Sequence, residues 1–511
     1  MSLQNLRYFI LLCCFTGLIN GQEKQEFNQI ASHYINGDAL IIGNNIVSGH
    51  EEKPFDDFSL INDQVRMRYV DVDREGRTFS SSSATLKVPD SSATPVRVLL
   101  YWSAVYPFAK GTKRDRPDEI IYYGSGDRVK GIESVLIKAP GMAEYTEVQG
   151  TVLFDGLNKA GYEDSAPYFC YADITDMIRA LEYPEGEYTV ANVKASQGFV
   201  SGGVSGGWFL FFVYESAQAS PKYISAYHGF ASINDNTVDI ELRDFKTKEE
   251  GRIDASIFAA ALEGDGKLYQ DKLEMLNYKD SSFVALKNEV RPSKNFFNSR
   301  ISIDDKYFKL RNPNSTNTLG FDVLRTKVPF ELFSNNQTST TLRFSTKADR
   351  FYAYFAGFSI EINEIFQLEK EAIDKEKILA DHEATPAQNS DESVDSEDPE
   401  VLTEATAATS HDLSNRQMEK RMRKVDIRIP GLEPGYYLIS NVFSKPSYAR
   451  RWETFLTSKN HEPKTFINPK NNWHYVHVYN AADIEPVYKT YLKLVKLDYF
   501  KEIWVFKINM K

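Results

Sequence analysis

Gly435-Tyr436-Tyr437-Leu438-Ile439-Ser440-Asn441-Val442-Phe443 is a run of aromatic, aliphatic and β-branched residues entered through a glycine, near the end of a 511-residue chain. Such a run predicts a β-strand. Residues 446–459 follow, opening on Pro446 and carrying Tyr448, Trp452, Phe455 and Leu456 at the spacing of one apolar helix face. A short strand is expected at 463–467, a turn at 468–472, a strand at 473–479, a helix at 484–497 and a final strand at 503–508. The order β-α-β-β-α-β predicts a four-stranded antiparallel sheet with both helices on one face. The opposite face would then stand open as a platform.

Working outward, residues 364–428 read as a charged helix followed by a linker. Within them, 383–412 hold no Lys or Arg, while Asp391, Glu392, Asp395, Glu397, Asp398, Glu400 and Glu404 stand among Ser, Thr, Pro and Ala. A stretch of this kind buries too little apolar surface to offset its chain entropy, so a disordered, self-repelling spacer is expected. The basic group Arg416, Lys420, Arg421, Arg423 and Lys424 reads as a solvated segment beside it. Residues 22–363 read as strands and turns almost throughout, which predicts an all-β sandwich-like region of one or two domains. One helix is expected there, at 173–181, with Ile174, Met177, Ile178 and Leu181 on its inner face.

At the other end, one positive charge in residues 1–7, an apolar run over 8–19 and the polar Gln22-Glu23-Lys24-Gln25 give the layout of a secretory signal peptide, expected to occupy residues 1–21. An exported protein, periplasmic or associated with the outer membrane, is the expectation. The mature chain contains no apolar run of 18 residues, hence no transmembrane segment, and the lone Cys170 excludes an intramolecular disulfide. A net charge of −11 argues against nucleic acid as a partner.

Two resemblances add to this reading. The strand 435–443, ending in its Val442-Phe443 step, and Trp473-His474-Tyr475-Val476-His477-Val478-Tyr479 resemble the opening strand and core strand of SPOR domains. These are ferredoxin-like α+β modules, here spanning 429–511. The resemblance implies binding to peptidoglycan glycan strands, above all those stripped of their peptide stems. A glycan offers ring C–H faces and hydroxyl groups, so it needs aromatic platforms with polar side chains on an exposed sheet. Alternate residues of a strand share a face. In the core strand, Trp473, Tyr475, His477 and Tyr479 separate from the more aliphatic His474, Val476 and Val478, and the former are expected to face the glycan. In the opening strand the split leaves either Tyr436, Leu438, Ser440 and Val442 or Tyr437, Ile439, Asn441 and Phe443. Tyr436 and Ser440 are the preferred glycan contacts.

Further upstream, DVDREGRTFSSSSA (71–84), LYWSAVYP (100–107), YADITD (171–176), GGWFLFFVYE (206–215), NFFNS (295–299) and RNPNSTNTLG (311–320) resemble the N-terminal portion of large envelope and surface proteins from gliding or type IX-secreting Bacteroidetes. This resemblance implies an envelope-assembly role and an envelope protein as partner, with no particular reaction.

Signals of catalysis are few. The sequence holds no His-Glu-x-x-His, no Gly-x-Ser-x-Gly and no phosphate-cradling glycine loop. A non-enzymatic protein without a resident cofactor is expected. The one metal candidate is calcium at Asp71 and Asp73, two carboxylates beside Gly76, with Asp265 and Asp322 weaker still.

Overall fold

The computed structural model describes residues 25–117, 119–348, 350–367, 370, 422–425, 429, 432–469, 472–495, 497–500 and 503–508. The expected signal peptide and most of the expected spacer lie outside the described residues. The chain divides into two compact units, Met1–Glu361 and Ile362–Lys511.

The N-terminal unit is built on a strand of 21 residues, Gln25–Asn45. Its first half pairs with Pro221–Ile233 and its second half with Gly206–Glu215, so one strand belongs to two sheets. The change of partner falls between Asn36 and Gly37. A Cβ at Gly37 would stand 2.0 Å from the Tyr214 carbonyl oxygen, which is why the corner needs glycine. The two halves fold face to face over an aromatic core. There Phe154 stacks on Phe230 with centroids 3.6 Å apart, and Phe211 meets Phe258 edge-on at 5.2 Å.

A second core lies on the outer side of the strands Thr94–Val105 and Gly206–Glu215, under a five-stranded sheet that includes Ser81–Leu86 and Gly186–Ala191. These two strands are therefore buried on both faces, and their near-continuous apolar sequence has its cause here. Leu100 and Trp102 point into one core, Leu99 and Tyr101 into the other. The indole N–H groups of Trp102 and Trp208 donate to the Ile132 carbonyl at 2.7 Å and the Ser82 hydroxyl at 2.9 Å, so neither ring buries an unpaired donor. A further four-stranded sheet carries Phe344, which stacks on Phe297 and Phe27. The region is β-rich and many-sheeted as expected, in one unit where one or two domains were allowed. The expected helix is one turn and a half, Thr175–Arg179, with Ile174 and Ile178 buried and Met177 and Leu181 packed beside them. Cys170 is fully buried and its thiol is pushed up by that burial, the setting of an inert core cysteine.

In the C-terminal unit the element order is Gly435–Phe443, helix Pro446–Ser458, Lys464–Asn468, Trp473–Ala481, helix Ile484–Leu494 and Trp504–Ile508. Pro446 sits in the first turn of its helix, where a missing N–H costs nothing. The chain leaves that helix through Asn460 in the left-handed region, at φ 64°. Tyr448, Trp452 and Leu456, four residues apart, are buried against the sheet. The sheet holds five strands rather than the expected four: Met422–Val425 pairs in parallel with Trp504–Ile508 at one edge. The segment assigned to the linker thus reaches back into the fold, a pairing that no local pattern in residues 422–425 announces. Among the described residues no helix is long and apolar enough to cross a membrane.

Candidate ligand-binding face

Two apolar clusters lie on the two sides of the C-terminal sheet. The helix side gathers Leu438, Phe443, Trp452, Val476 and Val505. The far side gathers Tyr437, Phe466, Tyr475, Trp504 and Phe506 with Ile439, and Trp473 packs against it. Phe466 stacks on Tyr475 at 5.3 Å, Tyr475 lies 5.5 Å from Phe506, and Trp504 meets Phe506 edge-on at 5.6 Å. Tyr437 stands edge-on to the His477 ring at 5.1 Å. The face opposite the helices is therefore largely made of rings.

The structure divides the six glycan contacts expected from the sequence. Trp473, Tyr475 and His477 belong to the ring face. Tyr436, Ser440 and Tyr479 do not. Tyr436 and Tyr479 pack against the helix-side core. Ser440 is buried on that side, donating to the Val476 carbonyl at 3.0 Å and accepting from the Trp452 indole at 3.1 Å. Tyr436 and Ser440 alternate regularly with Leu438, so the opening strand presents the other of its two possible sets to the ring side, whereas Tyr479 is turned over by a register shift that leaves Val478 as an extra residue between the partners of Leu438 and Ile439. Such a bulge adds a residue to one strand and breaks the period of two on which the placing of Tyr479 rested. Tyr437, Phe466, Trp504 and Phe506 were missed. The alternation of Trp504 and Phe506 about Val505 was the signal that pointed to two of them.

The ring face is also less open than expected. Tyr475 is 6% exposed and His477 4%, whereas Trp473 is half-buried. Ile429 and Leu432, just upstream of the opening strand, pack onto the same cluster. Burial, helped by the charge of Lys464, pushes the His477 imidazole down to about 4, against a hydrogen bond with the Tyr479 backbone. The ring is neutral at physiological pH, and its Nδ1 is buried with no hydrogen-bond partner among the described residues. A pH dependence follows with a definite sign. The folded pKa lies below the unfolded value near 6.5, so the stabilisation is complete above pH 6.5 and is lost as pH falls toward 4. The C-terminal unit should lose up to about 1.4 kcal/mol per pH unit in that window. Unfolding of wild type and His477→Gln at pH 7.5 and pH 5 measures it, since only the wild type should carry this share of the loss.

Asp71 and Asp73 are turn residues whose oxygens already have donors. Asp71 accepts from the Ser81 hydroxyl at 2.8 Å. Asp73 accepts from the Glu75 N–H and the Thr78 hydroxyl, both at 3.0 Å, and from the Tyr145 hydroxyl. Burial lifts the Asp73 carboxyl, but these hydrogen bonds outweigh it and hold the pKa below the usual range. Of the two weaker calcium candidates, Asp322 is fully buried in an ion pair with Arg291 at 2.8 Å, and Asp265 accepts from the Lys267 N–H at 2.8 Å. No group of three or more His, Cys, Asp or Glu able to hold a metal ion occurs among the described residues.

No family model matches the chain, and no curated protein does. Among solved structures, a BuGH86 variant in complex with neoagarooctaose aligns with 64% of this chain at 8% identity and a TM-score of 0.18. Wild-type BuGH86 in the same complex aligns with 53% at 10% identity and the same TM-score. In each case the match spans 34% of the length of that chain. Likeness at this level carries no argument about fold or activity.

Proposed function

We propose that this is an exported, non-enzymatic cell-envelope protein that binds peptidoglycan glycan strands through its C-terminal unit and an envelope protein through its β-rich unit. One observation carries the glycan reading: a helix-backed sheet whose far side is assembled from the rings of Tyr437, Phe466, Trp473, Tyr475, Trp504 and Phe506. Rings of this kind match the C–H faces of pyranose sugars, and His477 adds a polar atom among them. The SPOR resemblance of the two strands that bear Tyr437, Trp473, Tyr475 and His477 points the same way. For the β-rich unit the support is the resemblance of residues 71–320 alone.

The test is pelleting of the full chain with purified sacculi. Wild type should pellet, and Trp473→Ala, which removes a half-buried ring at the margin of the face, should weaken binding at least about fivefold. A chain that stays in the supernatant at every protein concentration overturns the reading. A second reading has an observation of its own. The deep burial of Tyr475 and His477 suits a ring cluster that serves as a second core, with protein contacts made elsewhere on the unit. On that reading Trp473→Ala leaves pelleting unchanged.

A further inference from the structure

We propose that the β-rich unit binds a small oxyanion, the phosphate or carboxylate group of a small molecule, in a cavity of about 400 Å³ where His33, Arg97 and Arg179 converge. The site is independent of the glycan reading above. His33 comes from the first half of the strand Gln25–Asn45, Arg97 from the strand Thr94–Val105 and Arg179 from the last position of the helix Thr175–Arg179. Three elements distant in sequence thus bring two guanidinium groups and an imidazole to one place.

The polar atoms around this cavity divide unevenly. Its acceptors are spent. One oxygen of Asp173 accepts from the Thr175 N–H at 3.0 Å and from the Thr175 hydroxyl, and the other pairs with Arg97 Nη1 at 2.9 Å. The Thr175 hydroxyl oxygen accepts from the Val98 N–H at 2.9 Å, and the Asp176 side chain stands fully in solvent. The nitrogens are not spent. Arg97 Nε and His33 Nε2 are buried with no hydrogen-bond partner among the described residues. Arg179 donates from Nε to the Pro95 carbonyl at 3.1 Å and from Nη2 to the Val96 carbonyl at 2.7 Å. These bonds fix its guanidinium and leave Nη1 to a loose contact with Asp176 at 3.9 Å. A neutral imidazole can carry its proton on Nε2, so all three side chains offer donors and lack oxygens to receive them. Unpaired buried donors are costly, and a guanidinium bonded to an anionic oxygen makes about twice the bond that neutral groups make. An oxyanion answers both conditions. The imidazole records the same field: burial first, then the charges of Arg97 and Arg179, push it down to about 4. An anion beside it would offset those charges. At about 30 Å³ per water the cavity has the room of roughly a dozen waters, enough for a small organic body behind the anionic group.

Calorimetric titration of the full chain at neutral pH, with inorganic phosphate and separately with acetate, tests the site. At least one anion should bind saturably, and the tighter of the two names the group that the ligand carries. Arg97→Gln and His33→Phe should each weaken that binding at least about tenfold. A second measurement uses the unmodified protein. Deuterium exchange at the imidazole C2 position, followed by mass spectrometry, reads the protonation of His33 from its own peptide. In the saturating anion the His33 pKa should rise from about 4 to about 5 or higher, relative to sodium chloride of the same ionic strength. If neither anion gives saturable heat, or if the heat is unchanged in both variants, the proposal is wrong. Should the variants fail to fold, the His33 titration decides, and an identical pKa in the two salts overturns the site.

Discussion

Asp322→Ala is expected to destabilise the N-terminal unit by about 3–5 kcal/mol, enough to consume much of the stability of an ordinary domain. Both partners of the Arg291–Asp322 pair are 0% exposed. The guanidinium is fully engaged: Nε donates to the Ser302 hydroxyl at 2.7 Å, and the terminal nitrogens donate to the Phe296 carbonyl at 2.6 Å, the Asp322 carboxylate at 2.8 Å and the Arg300 carbonyl at 2.6 Å. The carboxylate in turn accepts the backbone N–H groups of Asn298, Ser299 and Arg300 at 3.0–3.2 Å. Two charges out of water are tolerable here because every lone pair and proton has a partner. Removing the carboxylate leaves a buried cation and three amide donors unmatched, which is the expensive case. Arg291→Met should cost a similar amount, and the double variant Arg291→Met/Asp322→Leu less than the sum of the two. Urea unfolding followed by the N-terminal unit's own transition checks this, because the two units need not unfold together. A sum that is simply additive would mean that the two side chains do not act as a pair.

Trp452→Ala should be as severe in the C-terminal unit, costing about 3–5 kcal/mol. The ring is 0% exposed, stacks on Phe455 at 5.2 Å, and donates to the Ser440 hydroxyl, so truncation opens a large cavity and removes a buried hydrogen bond. Sacculus binding should vanish together with the unit's unfolding transition, while the N-terminal transition keeps its midpoint. That outcome contrasts with Trp473→Ala, which should weaken binding while the transition persists. Comparing the two variants separates loss of the fold from loss of the face. A folded C-terminal unit in Trp452→Ala would show that the helix-side core is not what holds the sheet.

Much of this architecture could be read from local pattern. The order β-α-β-β-α-β over 435–508 followed from apolar periodicity, from Pro446 at a helix start and from the turn residues at 468–472. The runs 96–102 and 208–214 were recognisable as strands, yet only the structure explained their unbroken apolar character, by a second sheet on the outer face. The ring-face residues were half legible: Trp473, Tyr475 and His477 were placed correctly by alternation, while Tyr436, Ser440 and Tyr479 were placed on the wrong side. Period alone left two sets open in the opening strand and Tyr436 and Ser440 belong to the one that faces the helices, while Tyr479 follows a register shift that depends on both strands at once.

The sequence by itself determined the strands and helices of 435–508 and their order, and the inertness of Cys170, because periodicity, turn chemistry and residue type act over a few neighbouring positions. Only the tertiary structure decided that strand 25–45 bends from one sheet into another at Gly37, that Met422–Val425 joins an edge of the C-terminal sheet, that Arg291 finds Asp322, and that Ile429 and Leu432 cover the rings. Each of these pairs residues distant in the chain or in pattern. Their free energy comes from surface removed from water and from partners matched in three dimensions, quantities that no local stretch contains.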